Sequence, residues 1–174
     1  ADSVRGDRVR LACALVAGGD AGRGDVARAD RLLACVEDAV GSERTWEARL
    51  LVKATRALVC TRNSDLIGAR ASATVVEEML AADDERLSDV ARHTMLRATG
   101  ASMLRDVFFQ LSALPEAETW GKEVVSVLQT HRSAHQWVTH AMIATSIGEL
   151  ANVVEARGDL AGAERLVRQS LEMK

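Results

Sequence analysis

Apolar residues recur along this chain at every third or fourth position, and glycine, aspartate or a lone proline interrupts them every one to three dozen residues. That spacing matches a helix of 3.6 residues per turn with one face turned to a core. It predicts a helix over 3–17, stopped by Gly18-Gly19. A second spans 25–40, with Asp25 as its N-cap, and is closed by Gly41-Ser42. Its inward face carries Val26, Ala29, Leu32, Leu33, Val36 and Val40. The helix over 43–61 turns Trp46, Leu50, Leu51, Ala54, Leu58 and Val59 inward. After the Asn63-Ser64-Asp65 turn, a helix over 66–81 buries Leu66, Ala69, Ala73, Val76 and Leu80.

Asp83-Asp84 opens a long helix over about 85–111, with Gly100 as a kink point. Pro115 starts another at a first-turn position that tolerates proline. Ser133 caps a helix to Arg157, and Asp159 caps the last, through Glu172. No run alternates with a period of two, and no Asn-Gly turn marks a hairpin of strands. The expectation is one all-α domain over 1–174. Its eight helices pair into antiparallel hairpins at about 3–40, 43–81, 84–130 and 133–172.

Composition sharpens this picture. With 174 residues, 48% hydrophobic and 27% charged, the chain can bury roughly 70% of its unfolded surface without a metal or disulfide staple. Ala, Leu, Arg and Glu dominate, and aromatics are 3%, which favours helix over sheet. The net charge of -3 speaks against a nucleic-acid-binding face. No apolar run approaches the ~20 residues that span a bilayer. Charges at Asp2, Arg5, Asp7 and Arg8 break any signal peptide. Cys13, Cys35 and Cys60 cannot all pair and sit among apolar residues, so buried reduced thiols in a cytoplasmic protein are expected. Arginine far exceeds lysine, a coding bias of GC-rich bacteria. The chain begins without methionine, which points to a fragment of a larger protein.

Two internal echoes bear on the architecture. Leu150-Ala151 with Gly158-Asp159 repeats Leu11-Ala12 with Gly19-Asp20, and the pentapeptide at 65–69 (DLIGA) returns at 159–163 (DLAGA). The second helices begin near Asp25, Asp65, Pro115 and Asp159. In these features the chain resembles the tetratricopeptide (TPR) family, most clearly over Ile147–Leu171. There Leu150-Ala151 stand at the family's Leu-Gly pair, Val154 at its Tyr, Ala163 and Ser170 at its small inter-helix positions and Val167 at its large apolar one. The first pair matches at Leu11, Ala12, Leu15, Ala29, Leu33 and Val36. The family's Trp and terminal Pro are missing, and the period exceeds its 34 residues.

The resemblance implies a right-handed α-solenoid of about four hairpins whose first helices line a concave groove. By position in the last repeat, the groove residues are Thr145, Gly148, Asn152, Glu155 and Ala156. Asn152 is the family's groove asparagine, which bonds a peptide backbone. Trp137 and His140 are expected near the rim. Any of Trp46, Trp120, Trp137, Phe108 or Phe109 that faces the groove instead of the core would act as an anchor.

Other candidates for chemistry carry less. Of the three Arg-Gly-Asp tripeptides, at Arg5, Arg23 and Arg157, the last two read as helix stops and caps. The glycines of 18–24 lack the Lys-Ser/Thr of a phosphate loop. His131, His135 and His140 form the densest histidine cluster and are the basis of an alternative reading as a metal-binding or enzymatic helical domain. The favoured expectation is a protein-interaction or ligand-sensing module with no chemistry or cofactor of its own, the regulatory part of a larger bacterial protein such as a transcriptional regulator. It would take a protein or peptide in the groove, touch neither nucleic acid nor membrane, and leave apolar solenoid ends through which two copies can pair. No basic clamp for an acidic C-terminus stands out.

Overall fold

The computed structural model describes residues 11–12, 14–15, 23–40, 46–82 and 90–173. All regular structure among them is helical, with no strand. Seven helices have defined bounds: α1 (Arg23–Val40), α2 (Trp46–Arg62), α3 (Leu66–Ala81), α4 (Val90–Gln110), α5 (Leu114–His131), α6 (His140–Ala156) and α7 (Leu160–Glu172). Leu11, Ala12, Ala14 and Leu15 are helical too. The rest of the expected helix over 3–17, its Gly18-Gly19 stop, the Arg5 tripeptide, Cys13, Gly41-Ser42 and Asp83-Asp84 lie outside the described residues. None of the described helices is long and apolar enough to cross a membrane.

The chain divides into two compact units, Ala1–Asp83 and Asp84–Lys174. In the first, α1 packs on α2 and α2 on α3. Helix α1 buries Val26, Ala29, Leu33 and Val36 at three- and four-residue spacing. Cys35 falls between those positions and is exposed, contrary to the expectation of a buried thiol. Helix α2 sits between two neighbours and buries more than one face: Val52, Thr55 and Ala57 join Leu50, Ala54, Leu58 and Val59. The Thr55 hydroxyl donates to the Leu51 carbonyl at 2.7 Å, which satisfies it within its own helix. On α3, Ala69, Ala73, Val76 and Leu80 are buried as expected. Leu66 is not: as the first helical residue it is 57% exposed.

In the second unit each helix packs on its sequence neighbour, α4 on α5, α5 on α6 and α6 on α7. The core joins Ala98 and Ala101 of α4, Val124, Val127 and Leu128 of α5, Val138, and Ile143 and Ile147 of α6. Leu150, Val154 and Ala163 continue it between α6 and α7. The Ser170 hydroxyl on α7 donates to the Ala144 carbonyl at 2.7 Å, and Gly148 lies beside it. Small residues thus bring α6 and α7 together, as the expected role of Ala163 and Ser170 requires. On its other side α7 leaves Leu160, Val167 and Leu171 exposed. Arg97 of α4 donates to Glu123 of α5 at 2.8 Å. Glu118 of α5 pairs with Lys122 at 2.6 Å and with Arg157. Hydrogen bonding from Lys122 holds the Glu118 carboxyl below its ordinary range, against burial, and Arg157 adds to it.

The turns inside α2–α3, α4–α5 and α6–α7 share one backbone design. Each has a single residue in the left-handed region: Ser64 (φ 61°), Ser112 (φ 56°) and Gly158 (φ 91°). In each, the next residue's N–H reaches back five positions: Asp65 to Cys60, Ala113 to Phe108, and Asp159 to Val154. This is the Schellman closure of a helix, followed at once by the N-cap of the next. Asp65 and Asp159 cap α3 and α7 by accepting from Gly68 and Gly162 N–H at 2.9 and 2.8 Å. A Cβ at either glycine would fall on the capping carboxylate, so the pentapeptide echo is the signature of this cap. Burial and the neighbouring Asp65 raise the Cys60 thiol above its usual range.

Two expected boundaries move and one expected kink does not form. Arg23-Gly24-Asp25 begins α1 instead of preceding it, so Asp25 lies in its first turn. Helix α4 runs unbroken through Gly100. Helix α6 starts at His140, capped by Thr139, whose hydroxyl accepts from Met142 N–H at 3.2 Å, and not at Ser133. Residues 132–139 are turns and non-helical backbone, in which Val138 is buried and Thr139 is extended.

Candidate binding cleft

The second unit holds a cleft of about 200 Å³ lined by Arg105, Asp106 and Phe109 of α4 and Glu149, Asn152 and Val153 of α6. Helical spacing gathers each trio on one face. At its base lies Arg105, whose side chain is only 5% exposed. A buried cation is tolerated only when paired and hydrogen-bonded. Arg105 meets that condition twice. Its Nη1 donates to Glu149 Oε2 at 2.5 Å, and its Nη2 and Nε donate to Asp106 Oδ1 at 2.7 and 3.0 Å. The pair with Glu149 ties α4 to α6 and fixes the width of the cleft. On α5, Gly121 faces both walls: a Cβ there would lie 3.5 Å from Arg105 Cδ and 2.9 Å from Leu150 Cδ1.

The two carboxylates stay 43% and 42% exposed although they are pinned to a buried partner. The cleft therefore shows solvent negative charge, with the balancing cation beneath it. Phe108 and Phe109 divide cleanly. Phe108 is fully buried, whereas Phe109 is 41% exposed and walls the cleft.

Among the expected groove residues, Asn152 lies in this cleft. Thr145, Glu155 and Ala156 are exposed elsewhere on α6, and Gly148 turns towards Ser170 of α7. Trp137 is half-buried against the core of the unit, and His140 is exposed at the first position of α6. Arg105, Asp106, Phe109 and Glu149 complete the site. The signal for Arg105 is its phase: it falls four after Ala101 and three before Phe108, at a core position of α4.

Two of the three clustered histidines come together. The His131 and His135 rings stack at 5.7 Å and 13°, and His135 stacks on Trp137 at 6.0 Å and 12°. Among the described residues no three His, Cys, Asp or Glu side chains come together to hold a metal. No protein-family model matches the chain, and no curated protein matches it significantly.

Proposed function

We propose that this chain is a TPR-like helical-repeat module, a right-handed α-solenoid of about four hairpins, that binds a peptide segment of a partner protein and has no chemistry of its own. Its place is the regulatory part of a larger bacterial protein in the cytoplasm, such as a transcriptional regulator. The observation that carries the reading is the cleft at Asn152, formed between the first helices of two consecutive hairpins. The shared turn at Ser64, Ser112 and Gly158 supports a repeat where the side chains have diverged. The charged groups of the cleft bond to one another, an arrangement suited to recognition more than to proton transfer.

The test is selection of linear peptides on the whole chain, then affinity measurement with Asn152→Ala. Asn152 is exposed, so the fold and its melting temperature stay unchanged. Loss of its amide should weaken a selected peptide by ~1–2 kcal/mol. Equal affinity for both proteins removes Asn152 from the site.

A further inference from the structure

We propose that the cleft beside Asn152 selects a partner segment by one basic side chain. This rests on the peptide-binding reading above and adds what the peptide must carry. Volume sets the first limit. Sites for drug-sized ligands and cofactors run to roughly 300–1,000 Å³. A cleft of about 200 Å³ suits one long side chain better.

Charge sets the second. One buried cation and two half-exposed carboxylates leave the cleft with an excess of one negative charge. Arg105 bonds to Asp106 only through Oδ1 and to Glu149 only through Oε2. Asp106 Oδ2 and Glu149 Oε1 accept from no described residue, so they are the oxygens an incoming cation meets. A carboxylate ligand would face two like charges, with Arg105 screened behind them.

Phe109 supplies the third limit. Its exposed ring gives the apolar stem of Lys or Arg a surface to lie on, and its face attracts the cation. Asn152 offers one amide donor and one acceptor to the peptide backbone beside that side chain. A basic residue held at its stem, its head and its main chain uses every group that lines the cleft except the buried Arg105 and Val153.

The experiment selects linear dodecapeptides on the full chain and measures their affinities by fluorescence anisotropy. The expected result is a fixed Arg or Lys in the enriched peptides, whose replacement by Gln weakens binding by about tenfold. Glu149→Gln should weaken the basic peptide more than the Gln peptide. Phe109→Leu is the second variant, since it spares the Arg105 pairs should Glu149→Gln disturb folding. It too should weaken the basic peptide more than the Gln peptide. Enriched peptides without a fixed basic residue, or a Gln peptide that binds as well, overturn this inference and leave the peptide-binding reading standing. No enrichment over the Asn152→Ala protein overturns both.

Discussion

Phe108→Ala should destabilise the second unit by about 3–5 kcal/mol, while Phe109→Ala one residue later should cost less than about 1 kcal/mol. Phe108 is wholly buried, and truncation leaves a cavity the size of its ring. In a chain of this length each kcal/mol shifts the melting temperature by about 2–4 °C, so the first variant should melt on the order of 10 °C lower. Phe109 is 41% exposed and loses little on truncation. Its loss should instead appear in peptide affinity, because it walls the cleft. Denaturant titration and anisotropy on the two variants separate the roles. Equal stability losses would contradict the placement of the two rings.

The second large effect is expected at Gly121. Alanine there meets mainly the end of Leu150, 2.9 Å away, which can turn aside, and alanine gains helix propensity over glycine of about 1 kcal/mol. Gly121→Ala should therefore be close to neutral. Leucine has no such escape, because Arg105 Cδ lies 3.5 Å from the Cβ position on one side and Leu150 fills the other. Overpacking costs about 1–3 kcal/mol. It also forces apart the α4 and α6 walls that hold Glu149 on Arg105. Gly121→Leu should lower the denaturation midpoint and abolish peptide binding together. Retained binding at a lowered midpoint would show that the cleft does not depend on this close approach.

Much of the helix punctuation was legible because it rests on local chemistry. Asp65 and Asp159 are caps by residue type, Gly158 is a left-handed stop, and the buried faces of α1 and α3 follow the 3.6-residue period. The Asn63-Ser64-Asp65 turn was legible too, but the left-handed backbone of Ser64, and of Ser112 in the α4–α5 turn, was not, since serine does not announce a positive φ as glycine does. The start of α6 was displaced because Ser133 and Thr139 are both good caps. Thr139 is the one used, with Val138 buried just before it.

The cleft was half visible. Asn152 was expected from the resemblance of 147–171 to the tetratricopeptide family, and it lines the cleft. Arg105 and Glu149 are far apart in the chain, and their pairing depends on how α4 and α6 register, which periodicity along one helix does not give. Phe108 and Phe109 are chemically identical, and only the rotation of α4 decides which one faces solvent.

The central claim is that a peptide binds between α4 and α6. Chemical-shift mapping of a selected peptide on the isotopically labelled full chain tests it most directly. The account predicts the largest changes at Arg105, Asp106, Phe109, Glu149 and Asn152, including the Asn152 side-chain amide. Changes centred on the exposed side of α7, at Leu160, Val167 and Leu171, with the cleft silent, would contradict it.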